Sequence, residues 1–190
     1  MSVTDGNETR LNAGEKTSSN RATVTVTGND TGGAGVEHLE CSLDGASFSV
    51  CTSPLQLTPE NLTDRTHIFK VISEDKSANK DPSPASFNWT VDTVPPITTI
   101  NTAVDGNKSS MTNGSSTKSK SITLGFSGND TGGAGVEHLE CSLDGASFAV
   151  CTSPVQLSPA NLIDGAHTFM VIAQDKVGNM AKTPALFNWT

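Results

Sequence analysis

Residues 28–48, GNDTGGAGVEHLECSLDGASF, recur unchanged as residues 128–148. The same offset of 100 residues relates Asp5-Gly6-Asn7 to Asp105-Gly106-Asn107 and Phe87-Asn88-Trp89-Thr90 to Phe187-Asn188-Trp189-Thr190. Solenoid units repeat every 20–50 residues or so. A longer period is that of a whole domain. The chain is therefore read as two tandem domains, 1–93 and 94–190. The segment Pro95-Pro96-Ile97-Thr98-Thr99-Ile100 opens the second copy and has no counterpart in the first. The first strand of copy one is thus expected to be truncated, and the chain to be a piece of something longer.

Within one copy the apolar residues follow a strand period. Ile122, Leu124 and Phe126 alternate with polar residues, as do Ala22, Val24 and Val26, which marks half-buried strands. Leu139, Cys141 and Leu143 share a face, with Val136 out of phase, so a bulge is expected there. Phe148 and Val150 are expected to point inward after the Asp144-Gly145 turn. Phe169, Val171 and Ala173 form a further strand, and Phe187 and Trp189 close the copy, as Phe87, Trp89 and Val91 close the first. About seven short strands, with turn signals every 8–12 residues or so, predict an all-β sandwich for each copy. Trp89 and Trp189 are expected core anchors, and no segment has a helical period.

Four cysteines, Cys41, Cys51, Cys141 and Cys151, allow three connectivities. The repeat favours Cys41–Cys51 and Cys141–Cys151, because each copy then folds alone. A hairpin at Asp44-Gly45 would bring Cys41 near Phe48, with Cys51 a little beyond. Disulfides imply an extracytoplasmic setting. Eight N-x-S/T sequons, at Asn7, Asn29, Asn61, Asn88, Asn107, Asn113, Asn129 and Asn188, fit a glycoprotein, although a Ser/Thr-rich chain also makes sequons by chance. The net charge is −8, with seven basic against thirteen acidic residues up to residue 100 and five against seven beyond it. No basic patch recommends a nucleic-acid partner, and no apolar stretch reaches the ~20 residues of a membrane span.

LECSLDGASF, CTSPVQL, DGAHTFMVIAQDKVGN, PALFNWT and the linker VDTVPP together resemble the Ig-like repeats of large bacterial and archaeal surface proteins and adhesins. The resemblance covers nearly the whole chain. It implies two tandem Ig-like β-sandwiches of about seven strands each, a cell-surface location, neighbouring repeats as partners and a stalk or adhesion role. His67 and His167 fall where such domains place a corner residue before the penultimate strand, and are read as bonded to nearby backbone.

In such a sandwich the loop after the second strand and the loop before the last strand share one end. That end gathers Asn129, Asp130, Asp175 and Asn179, and the chain enters there after Asp92. Hard oxygen donors of this kind suit Ca²⁺. Similar linkers in calcium-dependent tandem adhesins bind Ca²⁺ between domains. Asn29, Asp30, Asp75 and Asn79 repeat the loops in copy one, without a preceding linker, and should bind more weakly. The competing reading makes these aspartates turn residues bonded to local backbone.

Enzyme signatures are missing: there is no G-x-S-x-G, no HExxH and no phosphate-binding P-loop in GNDTGGAGV. Glu37 and Glu40, three apart on a strand, face opposite ways and are read as a solvated strand edge, with His38 beside them lacking a nucleophile to activate. The leading function is a non-enzymatic spacer. Alternatives are a ligand- or carbohydrate-binding adhesin module, an accessory domain of an extracellular enzyme, and a filament subunit whose open edge is completed by another chain's strand.

Overall fold

Alternating apolar residues of the kind just described can bury one face only if two sheets meet, and each half of the chain does this separately. A computed structural model describes all of residues 1–190, and these divide into two compact units, Met1–Thr93 and Val94–Thr190.

Unit 2 contains β10 (Ile97–Asp105), β11 (Ile122–Asn129), β12 (Val136–Leu143), β13 (Ala149–Cys151), β14 (Val155–Leu157), β15 (His167–Asp175) and β16 (Ala185–Trp189). One sheet has the order β10-β11-β14 and the other β13-β12-β15-β16. Unit 1 contains β1 (Ser2–Asp5), β2 (Arg10–Leu11), β3 (Lys16–Thr17), β4 (Ala22–Thr25), β5 (Val36–Leu43), β6 (Ser49–Cys51), β7 (Leu55–Leu57), β8 (Thr66–Asp75) and β9 (Ala85–Val91). Its sheets run β2-β1-β4-β7 and β3-β9-β8-β5-β6. Both units are all-β sandwiches. No helix is long and apolar enough to cross a membrane.

The inward phases fill the cores. In unit 2, Ile122, Leu124, Phe126, Phe169, Val171, Phe187 and Trp189 form one cluster; in unit 1, Val24, Val26, Phe69, Val71, Trp89 and Val91 do the same. Trp89 and His67 are wholly buried. A fully buried side chain of this size contributes roughly 1.5–3 kcal/mol over its exposed state. The expected irregularity at Val136 is present, as a register shift between Val136 and His138 in the β12–β15 pairing.

Two expectations fail for a shared reason. Phe148 is 37% exposed and Val150 69%, and Phe48 and Val50 match them at 36% and 67%. The β12–β13 hairpin pairs Leu139 with Cys151, Glu140 with Val150 and Cys141 with Ala149. Five residues, 144–148, connect these strands, rather than a two-residue turn. The longer loop shifts the return strand by one position, and a shift of one turns every side chain to the other face. Cys151 is thereby brought inward beside Cys141, and Val150 outward beside Glu140. The Glu40 strand, β5, is also no edge: it lies between β8 and β6, so its outward glutamate sits on a sheet face.

Candidate functional site

In unit 2 the acidic loops are held together by the sheet itself. Strand β12 starts where the 130–135 loop ends, and Val136 pairs with Asp175, the last residue of β15. Lys176 N donates to Gly135 O at 3.0 Å. This fixes Asp130 and Asp175 side by side, each offering a carboxylate oxygen within 4.8 Å of the other. Asp175 is buried. Its Oδ1 accepts from Val177 N at 2.9 Å and Asn179 N at 2.8 Å, and its Oδ2 accepts from Asn179 Nδ2 at 2.7 Å. Asp130 Oδ2 accepts from Gly135 N at 2.6 Å, and Asn129 Oδ1 accepts from Thr131 Oγ1 at 2.6 Å.

Unit 1 repeats the arrangement in a more open form. Asn29, Asp30, Asp75 and Asn79 line one depression of about 380 Å³, together with Asp81. Asp30 Oδ2 accepts from Gly35 N at 2.9 Å. Asp75 Oδ1 accepts from Ser77 N and Asn79 N at 2.8 and 2.9 Å, and Oδ2 from Asn79 Nδ2 at 2.9 Å. The Asn79 side chain and backbone, with Ser77 N–H, hold the Asp75 carboxyl below the usual range. Asp92 follows β9, is buried, and donates its N–H to Thr17 O at 2.9 Å.

These bonds realise the turn role: each carboxylate organises its own loop. They also orient the oxygens and leave lone pairs unused, since a carboxylate has about four acceptor sites. No lysine, arginine or histidine pairs with Asp130 or Asp175; the ion pairs lie at His38, Arg65, His67, Lys80, His138 and His167. Uncompensated hard-oxygen donors fit Ca²⁺ better than zinc or copper.

The corner histidines bond to backbone as expected, through Nε2 to Thr63 O at 2.8 Å and to Ile163 O at 2.7 Å. Their second partners were not legible. Nδ1 of His67 meets Asp44 Oδ2 at 2.7 Å, and Nδ1 of His167 meets Asp144 Oδ2 at 2.7 Å. Asp44 is the turn residue that signalled the hairpin, with a left-handed φ of 54°. Burial pushes its carboxyl up, but the Ile68 N–H, His67 and Arg65 outweigh this and hold it low.

On the outer face of unit 1, His38 Nε2 lies 3.6 Å from both Glu40 and Glu74 carboxylates. Lys80 Nζ bridges them, at 2.7 Å from Glu40 and 3.4 Å from Glu74. The Lys80 hydrogen bond holds the Glu40 carboxyl low. Unit 2 has Gln174 and Met180 at these places, which removes a carboxylate and an ammonium together. The cluster is an ion-pair network, with no nucleophile in it.

Both cysteine pairs are bridged within their own copy, Cys41–Cys51 with Cα atoms 5.7 Å apart and Cys141–Cys151 with 5.8 Å. Asn7, Asn29, Asn61, Asn88, Asn107, Asn113 and Asn129 are exposed, and Asn188 is half-buried. Asn188 accepts from Thr168 Oγ1 at 2.8 Å.

No protein-family model matches the chain, and no curated protein does. Among solved structures, it is similar to the fibronectin(III)-like modules of Clostridium thermocellum CbhA, at 14% identity and a TM-score of 0.45, over 98% of this chain and 92% of that one. A 1.5-MDa bacterial ice-binding adhesin gives 13% identity and 0.46, over 88% of this chain and 55% of that one. The extracellular domain of a putative one-component system from B. thetaiotaomicron gives 10% and 0.40, over 66% and 24%.

Proposed function

We propose that this chain is a non-enzymatic extracellular spacer or adhesion module whose junction between sandwiches is stiffened by Ca²⁺. The observation that carries the reading is the pair Asp130 and Asp175, held within 4.8 Å by the β12–β15 register and lacking a cationic partner. Two like charges this close repel, and a divalent ion converts that repulsion into cross-linking. The disulfides and the exposed sequons support an extracellular setting.

The joint enters the proposal through chain connectivity. Ile97 pairs with Asn129, so unit 2 receives the chain beside its acidic loop. Asp92 lies five residues earlier, a stretch spanning at most about 18 Å. We assign Asp92 to the same ion on that ground, with Asn129 and Asn179 as further oxygen donors. The Asn29, Asp30, Asp75 and Asn79 set is the weaker site. Small-angle scattering with and without calcium tests this. The account expects a narrower distribution of end-to-end distances in calcium, and loss of the effect in Asp92→Asn. Identical profiles would refute the stiffening role.

One observation favours ligand binding as a second reading. Phe48 with Val50, and Phe148 with Val150, place the same apolar pair on the surface of both units. A repeated exposed apolar pair suits a repeated contact with a partner. Val50→Lys with Val150→Lys should then abolish surface adhesion while leaving calcium binding intact. Unchanged adhesion would discard this reading.

A further inference from the structure

One cluster on the outer face of unit 1 serves neither the acidic loops nor the apolar pair. Strand alternation puts His38 and Glu40 on the same side of β5, and the β5–β8 register sets Glu74 opposite His38. His38 Nε2 lies 3.6 Å from Glu40 Oε1 and 3.6 Å from Glu74 Oε2, and one donor atom from each of the three lies within 4.8 Å of the others. A separation of 3.6 Å is too long for a hydrogen bond. It is close to another spacing. A tetrahedral zinc ion with ligands at roughly 2.0–2.2 Å holds its donor atoms about 3.4 Å apart. An imidazole with two carboxylates is a mixed nitrogen and oxygen donor set, which suits zinc rather than calcium.

A cation already stands here. Lys80 Nζ is 2.7 Å from Glu40 Oε1 and 3.4 Å from Glu74 Oε2. Its ammonium neutralises one of the two carboxylates, whereas a divalent ion neutralises both. Lys80 is also the member best able to leave. Its side chain is 50% exposed, against 28% for His38, 19% for Glu74 and 13% for Glu40. Ion pairs of such exposed groups contribute little to stability, so returning the ammonium to water costs little.

Unit 2 supplies the comparison. His138 and Glu140 keep the first two places, and Glu140 lies between Val150 and Ile172 as Glu40 lies between Val50 and Ile72. Gln174 faces His138 where Glu74 faces His38, and Met180 faces Gln174 where Lys80 faces Glu74. With no second carboxylate, His138 Nε2 closes on Glu140 Oε1 at 3.1 Å. From this contrast we infer that His38 Nε2, Glu40 and Glu74 form a site for a divalent transition metal of the zinc class, and that Lys80 swings out as the ion enters. Water completes the coordination. The site shares no ligand with the acidic loops, does not depend on calcium, and goes beyond the spacer reading.

The test is zinc titration of the intact chain in excess calcium, followed by calorimetry and by the imidazole NMR signals of the histidines. Zinc taken up by the aspartate loops would leave the His38 ring unmoved, so the two sites are told apart. The expected result is a saturable shift of His38 with none at His138. Glu74→Gln, which gives unit 1 the residue that unit 2 has in Gln174, should weaken binding at least about tenfold. Lys80→Met, which matches Met180 in the same way, should tighten it a few-fold. Four results would overturn the proposal: no shift of His38 at a several-fold excess of zinc, equal shifts at His38 and His138, unchanged affinity in Glu74→Gln, or weaker binding in Lys80→Met.

Discussion

His167 Nδ1 lies 2.7 Å from Asp144 Oδ2 while its Nε2 lies 2.7 Å from Ile163 O. A ring with a carboxylate at one nitrogen and a carbonyl at the other donates from both, and so is favoured as the imidazolium. Burial opposes this, but the Asp144 hydrogen bond and the Ile163 carbonyl prevail and raise the His167 pKa above its ordinary value. A raised pKa means that the folded state binds the proton more tightly. The resulting stability is complete below the unfolded value of about 6.5 and is lost as pH rises through the higher folded value. Chemical denaturation between pH 5 and 9 or so should therefore show unit 2 losing stability with rising pH. In His167→Phe that slope should flatten.

Asp105 works in the opposite direction. Its Oδ1 accepts from Asn107 N and Ser109 N at 2.9 Å each, and its Oδ2 from Thr117 Oγ1 at 2.7 Å. The Ser109 N–H, Thr117 hydroxyl and Asn107 N–H outweigh burial and hold the carboxyl below its ordinary range. Stability from this group is present above the unfolded value of about 3.9 and is lost as pH falls through the lower folded value. Asp105→Asn should weaken the acid dependence below about pH 4 and loosen the 106–119 loop, read as faster amide exchange at Asn107 and Ser109.

Each disulfide closes a loop with a sequence separation of 10. Chain entropy puts the stabilisation from a loop of this size at roughly 2–3 kcal/mol. Cys141→Ser with Cys151→Ser should lower the unfolding free energy of unit 2 by about that amount and leave unit 1 unchanged in a two-transition denaturation curve.

Val150 and Leu124 were both read from the sequence as inward, and they separate cleanly in the fold. Val150→Lys should change stability by less than about 0.5 kcal/mol, as surface substitutions do. Leu124, wholly buried, should cost about 2–5 kcal/mol when cut to alanine. Equal costs for the two would contradict the β12–β13 register.

The contrast shows where sequence reasoning succeeds. Ile122, Leu124 and Phe126, or Phe169, Val171 and Ala173, lie in long strands whose period fixes their face without reference to any partner. Val150 sits in a three-residue strand whose face depends on the length of the 144–148 loop, which alternation does not encode. The acidic loops were legible because Asp130 and Asp175 flank strand ends that the sandwich topology must bring together. Asp44 and Asp144 were seen only as turn formers, since their histidine partners stand 23 residues away. The Lys80 bridge to Glu40 spans 40 residues and was invisible for the same reason.

Calcium titration with thermal unfolding as the readout tests the central claim most directly. A ligand bound only by the folded state stabilises it by about 2.7 kcal/mol at a concentration one hundred times its dissociation constant. The account predicts a calcium-dependent rise in the melting temperature of unit 2, abolished by Asp175→Asn and by Asp130→Asn, with a smaller rise in unit 1. An unchanged melting temperature across the titration, or a rise that survives both substitutions, would contradict it.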